Sequence, residues 1–196
     1  IDTAEVYRNE KGVAGGIKKA ISDNIVKRSD LFITTKVFPG NERWGQKQKT
    51  YEDVIEALNK SLDRLELSYV DLYLIHSAHA DQTRLEQWKA LIDLKQQEYI
   101  KFAGVANWNI NHLEEVKQNG LLLPDTNQIE LHPCGKDFLV KRKDDKLETI
   151  IARYDTYMKT TRPVLDFYSK NPNFYEIDGS LKIEQITAKI DVFLNV

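Results

Sequence analysis

One apolar run, residues 69–76, constrains the fold of this chain more than any other stretch. Its residues are mostly apolar or aromatic, and the run ends in a histidine. Such a run is typical of a strand that is buried on both faces of a parallel sheet. Helical patterns flank it, with capping boxes predicted at Thr50 and Asp53 before the strand and at Thr83 and Glu86 after it. Helix, buried strand and helix together indicate an α/β protein.

Four further segments have the composition of strands, and each ends near a polar residue. They are residues 1–4, 31–37, 101–107 and 126–131. Intervening helices are predicted at residues 9–21 and after an N-cap at Asn111 with Glu114. Parallel strands joined in this way require right-handed crossovers. We therefore expect a partial (β/α) sheet of the TIM-barrel type with about five strands, open or distorted rather than closed. Because the sequence opens within a strand, we expect it to be truncated.

The pattern changes after residue 133, where the regular strands and helices give way to a charge cluster at residues 142–145. A helix is predicted from Asp145 to about Lys159, with a kink if it continues past Pro163. A short strand is predicted at residues 174–177, and a final helix after Ser180. The sequence thus predicts two domains, a partial barrel over residues 1–134 and an α-β-α segment over residues 138–196.

Composition excludes several functional classes. The chain has 196 residues, 30% of them charged, and a net charge of −2, which does not favour nucleic acid or an anionic membrane as partner. No apolar run approaches the roughly 20 residues of a membrane span. The single cysteine, Cys134, allows no internal disulfide, which fits a cytoplasmic location. We expect no metal site and no glycine-rich phosphate loop, because neither a zinc-type Cys/His spacing nor GxxxxGK or GxGxxG occurs.

Polar side chains at the strand ends point to proton-transfer chemistry. They are Asp2, Tyr7, Lys36 and His76. A phenol with a pKa of about 10 is a poor acid at neutral pH, but a neighbouring ammonium lowers the pKa of a phenol. An aspartate would hold the lysine, and a histidine would orient a carbonyl oxygen. Such a set protonates an oxyanion while a dinucleotide supplies hydride. The alternative for His76 alone is a local hydrogen bond at the end of a strand.

These residues belong to five motifs that resemble the aldo-keto reductase family. In chain order the motifs are IDTAEVY at 1–7, TKV at 35–37, DLYLIH at 71–76, GVAN at 104–107 and NQIELHP at 127–133. The resemblance implies a TIM barrel that reduces aldehydes or ketones with NADPH. It implies that Tyr7 is the acid and that Asp2 and Lys36 adjust the acidity of its hydroxyl. His76 is implied to position the substrate, and Asn107 and Gln128 to hold the nicotinamide carboxamide.

The same resemblance implies an impaired enzyme, because nothing after residue 133 is similar to the last two strands of such a barrel. In the family those strands carry an aromatic side chain that stacks on nicotinamide and the cations that bind the adenosine phosphate.

Among the tryptophans, Trp88 is predicted in the core, whereas Trp44 and Trp108 are predicted to line the substrate mouth. His112 is predicted to lie at a helix end. Unpaired edges of an incomplete sheet predict self-association.

Residues 138–196 resemble the carboxyl end of adenylate kinases instead. The matching motifs are LVKRKDD at 139–145, TRPVL at 161–165, IDG at 177–179 and the last amphipathic helix. This resemblance implies that Arg142 and Arg153 contact the phosphates of ATP or AMP; the alternative is a solvated helix face. The prediction is therefore a chimera with an NADP-dependent oxidoreductase part. Two other functions stay open, namely nucleotide binding or phosphoryl transfer, and a fragment without catalysis.

Overall fold

The computed structural model describes residues 1–129, 151, 154–172, 174–178 and 181–194. The contacts between Cα atoms divide the chain into two compact units, Ile1–Leu131 and His132–Val196. The predicted division into residues 1–134 and 138–196 turns on residues outside the described ones, and it stays a prediction.

The first unit is built on a sheet of four parallel strands in the order β1-β2-β3-β4. The strands are β1 (Thr34–Val37), β2 (Val70–Ile75), β3 (Ile100–Ala106) and β4 (Thr126–Gln128). The α/β class with a partial barrel-type sheet is thus confirmed. The fifth predicted strand, at residues 1–4, is reduced to a single parallel bridge between Asp2 and Thr34 on the free side of β1.

The helices of this unit alternate with the strands, as the predicted crossovers require. They are α1 (Glu10–Ser22), α2 (Tyr51–Leu65), α3 (Arg84–Gln96) and α4 (Ile110–Gln118). The capping box of α2 is confirmed, because the Thr50 hydroxyl accepts from the Asp53 amide and the Asp53 carboxylate accepts from the Thr50 amide. The apolar side of α2 is buried together with the inner residues of the strands, among them Val54, Leu58, Leu62, Leu65, Leu74 and Val105.

Two predicted helix caps are wrong. The Thr83 side chain makes no capping bond, because its hydroxyl accepts from the Gln87 side chain at 2.9 Å and donates to Gln48 at 3.4 Å. Glu86 turns to a neighbouring helix, where its carboxylate accepts from the Tyr51 amide at 3.0 Å. Helix α4 is capped by Asn109 rather than Asn111, with His112 as the reciprocal partner. The Thr83 amide donates to the Gln48 side chain at 3.3 Å instead of to Glu86, and the His112 amide in α4 donates to Asn109 at 3.2 Å.

Gly104 marks the tightest approach within the sheet. A Cβ atom there would lie 2.6 Å from Cδ2 of Leu74 and 2.8 Å from the carbonyl oxygen of Thr126. Because Leu74 and Thr126 are the register partners of Gly104 on either side, a side chain at this position would push β2 and β4 apart. Glycine therefore keeps the ends of three neighbouring strands close together.

A buried carboxylate fixes the start of β2. Asp71 is 2% exposed and accepts hydrogen bonds from the Ile33 amide at 2.9 Å and the Arg28 guanidinium at 2.8 Å. The Lys101 ammonium lies 2.8 Å from its other oxygen. Burial alone raises the pKa of Asp71, but the hydrogen bonds from Lys101, the Ile33 amide and Arg28 outweigh burial and lower it. Asp71 thus joins β2 to its neighbours on both sides as an anion.

The second unit is helical in its described part. A π-type turn, Tyr157–Thr161, leads into the helix Arg162–Tyr168, and a further helix covers Ile183–Leu194. The widened turn lies directly before Pro163, which has no amide hydrogen to donate to the helix. The strand predicted at residues 174–177 is wrong, because these residues have no regular secondary structure. A strand requires a partner strand, and the described residues of this unit supply none.

Candidate active site

The carboxyl ends of the strands bring the four predicted residues to one edge of the sheet. Asp2 forms the bridge beside β1, and Tyr7 ends a short 3-10 helix, Glu5–Tyr7, that follows it. Lys36 lies in β1, and His76 follows β2 directly, with its amide bonded to the Val37 carbonyl at 2.9 Å. Side chains at this end of a parallel sheet are placed to act together on one ligand.

Tyr7 and His76 are in contact. The Tyr7 hydroxyl lies 3.4 Å from Nε2 of His76, and the two rings meet edge to face with centroids 5.5 Å apart. Tyr7 is 50% exposed, so its hydroxyl is open to a ligand. A hydroxyl and an imidazole nitrogen side by side are suited to bind one oxygen atom and to exchange a proton with it.

Lys36 supplies a buried positive charge behind the tyrosine. Its side chain is 2% exposed, and its ammonium lies 5.2 Å from the centre of the Tyr7 ring. The ammonium donates to Oδ1 of Asp2 and to the carbonyl oxygen of Thr3. A buried ammonium needs such partners, because desolvation is costly without them. The Asp2–Lys36 pair therefore holds a fixed cation next to the phenol.

Asn107 and Gln128 lie side by side at the ends of β3 and β4. The main-chain N–H of Asn107 donates to the main-chain carbonyl oxygen of Gln128 at 2.9 Å. The Gln128 side chain turns to the acid site, where its Nε2 donates to Oδ2 of Asp2 at 3.0 Å. Both oxygens of Asp2 are thereby engaged. Nothing in the local sequence around Asp2 signals this second contact, because its partner is distant along the chain.

Two glutamates that are not among the predicted site residues support this site. The Glu5 carboxylate accepts from the Phe38 amide at 2.6 Å and lies 3.2 Å from the Lys49 ammonium. It thus ties the short helix of Tyr7 to the end of β1. Glu10 is buried, where it accepts from the Thr35 hydroxyl at 2.7 Å and from the Arg64 guanidinium at 2.6 Å. The only sequence signal for either residue is its proximity to Tyr7.

A cleft of about 420 Å³ opens beside His76. It is lined by Val6, Phe38, Trp44, Gln46, His76, Ser77, His79 and Asn107. Trp44 lines this cleft and its ring stacks on Phe38, whereas the role of the cleft as a substrate mouth stays a prediction. The prediction for Trp108 is wrong: its ring is 1% exposed and packs against Trp88, which lies in the core as expected.

His112 contacts Trp108 from a helix end, and burial, followed by the Arg84 charge, lowers the pKa of His112 to about 4.

The two arginines that are predicted to contact phosphates, Arg142 and Arg153, lie outside the described residues. In the part of the chain that the structure describes, no group of three or more His, Cys, Asp or Glu side chains is arranged to hold a metal ion. Within the same residues, no helix has the length and apolar character needed to cross a membrane.

The comparison with known families decides the relationship of the chain. The sequence profile of the Aldo/keto reductase family matches residues 1–155. The chain belongs to the aldo/keto reductase family. Among curated relatives, it is 43% identical over 133 residues to a glyoxal reductase of Bacillus subtilis, covering 68% of this chain and 44% of that protein. It is 37% identical over 231 aligned positions to an aldo-keto reductase of Bombyx mori, covering 98% of this chain and 72% of that protein.

Solved aldo-keto reductases share the fold. The crystal structure of the Bombyx mori enzyme in complex with NADP superimposes with a TM-score of 0.60 at 32% identity, covering 80% of this chain and 48% of that chain. An aldo/keto reductase of Brucella melitensis gives a TM-score of 0.56 at 36% identity, covering 79% of this chain and 54% of that chain. The chain thus spans about half the length of these aldo-keto reductase structures. The expected cofactor, NADP, agrees with the complex solved for the Bombyx mori enzyme.

The chain is also similar to a protein of another family. The chain is 67% identical over 69 residues to an adenylate kinase of Pelagibacter ubique, covering 35% of this chain and 32% of that protein. This identity is higher than that to either aldo-keto reductase relative above, although the stretch is shorter. The aldo-keto reductase assignment accounts for the larger part of the chain.

Proposed function

We propose that this chain reduces the carbonyl group of small aldehydes or ketones with NADPH at the site of Tyr7. The observation that carries the proposal is the meeting of Tyr7, Lys36 and His76 at one sheet edge, with Asp2 bound to the lysine. The substrate class is suggested by the similar glyoxal reductase of Bacillus subtilis and by a methylglyoxal reductase of Escherichia coli that is 42% identical over 134 residues. Both names describe the reduction of small dicarbonyl compounds.

The proposed mechanism divides the work among the side chains of this site. NADPH, when bound, would supply a hydride to the carbonyl carbon. Tyr7 donates its hydroxyl proton to the carbonyl oxygen, so that the C=O bond becomes an alcohol and the phenol becomes a phenolate. The buried Lys36 ammonium, held by Asp2, stabilises that phenolate through its charge. His76 directs its Nε2 to the same oxygen and fixes the orientation of the substrate.

Asn107 and Gln128 fit the nicotinamide end of the cofactor. A carboxamide has one acceptor oxygen and two donor hydrogens, and the two amide side chains offer matching donors and acceptors. The main-chain hydrogen bond from the Asn107 N–H to the Gln128 carbonyl oxygen holds the two residues next to each other. In this proposal Gln128 exchanges its bond to Asp2 for a bond to the carboxamide.

We expect this chain to bind NADPH weakly, with a Kd in the high micromolar range or above. The motifs of the late barrel strands, which would bind the adenosine phosphate and stack on nicotinamide, do not occur after residue 133. Each lost charge-assisted hydrogen bond removes about 1.5–3 kcal/mol, and two such losses weaken binding roughly 10²- to 10⁴-fold. A fluorescence titration of NADPH measures the affinity.

The control for the titration is a pair of matched variants. Gln128→Leu is expected to weaken the remaining binding further, whereas Gln118→Leu, at the exposed end of α4, is expected to leave it unchanged. Sub-micromolar binding by the wild-type chain would show that cofactor contacts exist that this account omits. Equal affinity in both variants would remove Gln128 from the cofactor site.

The second candidate function is binding of ATP or AMP phosphates by a fused adenylate kinase segment. The adenylate kinase match covers 35% of the chain at 67% identity, a higher identity than the 43% of the glyoxal reductase match over 68% of the chain. This supports a chimera in which the kinase-like residues include Arg142 and Arg153.

The cytoplasmic location and self-association through sheet edges stay predictions.

Calorimetry with ATP tests this second candidate. We expect weak binding that is lost when Arg142 and Arg153 are both replaced by alanine, because each removes a charged donor to phosphate. Arg162→Ala is the matched control, since Arg162 already pairs with Asp166 at 3.2 Å on an exposed helix face. ATP binding that is absent, or equally reduced in the control, would rule the candidate out.

A further inference from the structure

A second cleft, of about 800 Å³, adjoins the one beside His76. The two clefts share Val6, Phe38 and Gln46 as lining residues, so they are direct neighbours. We call this second cleft the basic cleft, because five cationic side chains line it. They are Arg8, Lys11, Lys47, Lys49 and Arg64. Its place beside Tyr7 raises the question of which ligand group it serves.

The carboxylates of the basic cleft are already engaged. Glu10 is bound by the Arg64 guanidinium at 2.6 Å and by the Thr35 hydroxyl. Glu5 lies 3.2 Å from the Lys49 ammonium and accepts from the Phe38 amide. These two pairs neutralise two of the five cations and two carboxylates, and both are fixed by additional hydrogen bonds.

Three cations of the basic cleft are left over. Arg8, Lys11 and Lys47 are exposed, and none of them forms an ion pair within residues 1–129 or the other described ranges. A hydrogen bond from the Thr50 amide, and less strongly the charges of Lys47 and Lys49, lower the pKa of Asp53. That carboxylate is occupied, however, because it caps α2. The basic cleft therefore carries an excess of positive charge.

This excess is local, because the whole chain has a net charge of −2. A concave site with several unpaired cations concentrates its field and attracts an anion. A phosphate group carries between one and two negative charges at neutral pH and three strong acceptor oxygens. Three cationic side chains around one cleft match that chemistry better than they match a single carboxylate.

We propose that the basic cleft binds the phosphate group of a phosphorylated carbonyl substrate whose aldehyde or ketone lies at Tyr7. This assignment rests on the proposed reductase function and narrows its substrate class to small carbonyl compounds that carry a phosphate. Because the two clefts share lining residues, a substrate with its carbonyl group beside His76 extends its phosphate group towards the cations. The phosphate contacts hold the substrate while the carbonyl oxygen meets Tyr7.

The first test measures the anion site without any turnover. Inorganic phosphate is titrated calorimetrically, at constant ionic strength, into the wild-type chain, the double variant Lys11→Gln with Lys47→Gln, and the control Lys89→Gln. Lys89 is exposed on α3, lies outside the basic cleft and has no ion pair in the described part of the chain. We expect binding at least about tenfold weaker in the double variant, through loss of two charged donors, and no change in the control.

The second test measures the ratio of kcat/KM for glyceraldehyde 3-phosphate over glyceraldehyde in the same three proteins. We expect the ratio to exceed one in the wild-type chain and the control, and to fall about tenfold or more in the double variant. Phosphate binding that depends on Lys11 and Lys47 in a chain without turnover supports the anion site while the reductase function fails. Equal phosphate binding in all three proteins, an unchanged ratio, or phosphate that competes with NADPH instead of the carbonyl compound overturns the proposal.

Discussion

The Tyr7→Phe variant is expected to reduce the turnover of methylglyoxal by about 10²- to 10⁴-fold, the usual contribution of a general acid. The substitution keeps the ring in contact with His76 but removes the hydroxyl that lies 3.4 Å from Nε2. Without that hydroxyl, residue 7 transfers no proton to the carbonyl oxygen, and the negative charge that develops there is not neutralised by protonation. The consumption of NADPH in the presence of methylglyoxal, followed by fluorescence, measures the effect.

The matched control is Tyr99→Phe. Tyr99 is also a partly exposed tyrosine, but it precedes β3 and lines neither cleft. Its activity should equal that of the wild-type chain, and both variants should retain the same helix content. Turnover that survives Tyr7→Phe would show that another group acts as the acid and would refute the proposed role of Tyr7.

A large loss of stability is expected for Asp71→Ala, about 3 kcal/mol. Removing one partner of a buried ion pair costs about 3–5 kcal/mol, and the lower end applies because Lys101 and Arg28 keep access to water. The Ile33 amide would lose its acceptor as well. Urea unfolding followed by circular dichroism measures the change. Asp23→Ala, which breaks the exposed pair with Lys19, is the control and should cost under about 1 kcal/mol.

The contribution of Asp71 should also depend on pH. Its pKa is lowered in the folded chain, so the folded state favours the carboxylate and the contribution is fully present above the unfolded pKa of about 4. It is lost as the pH falls through the lower folded pKa. The gap in stability between wild type and Asp71→Ala should therefore be constant near neutrality and shrink below about pH 4. A gap that widens in acid would contradict the assignment of a buried, ion-paired carboxylate.

The elements predicted most successfully are those that local sequence determines. The apolar run at residues 69–76 became β2 because its side chains leave no polar face to expose. Helix α2 begins after Thr50 because that residue and Asp53 satisfy each other without help from distant partners. The four residues at the strand ends came together because parallel strands present their carboxyl ends on one edge.

The errors occur where distant partners compete with local ones. Glu86 had a suitable amide three residues away at Thr83, yet it bonds to Tyr51 across the helix interface. Asn109 and Asn111 are the same residue type, and only the path of the chain after β3 places Asn109 at the start of α4 as its cap. Trp108 is as aromatic as Trp44, but the fold places it against Trp88. No pattern within a short window encodes these choices.

The hydrogen bond between Gln128 and Asp2 has a consequence for the order of folding. It joins residues 126 positions apart, whereas the contacts of Tyr7 with His76 and of Lys36 with Asp2 span 69 and 34 positions. Contacts between distant residues form late, because the intervening chain must first lose its freedom. During synthesis from the amino end, helices α1 to α4 are complete before β4 arrives to engage Asp2. The bond from Gln128 is therefore the last of the three to form, and partial unfolding of β4 releases Oδ2 of Asp2 while the contacts of Tyr7, Lys36 and His76 persist.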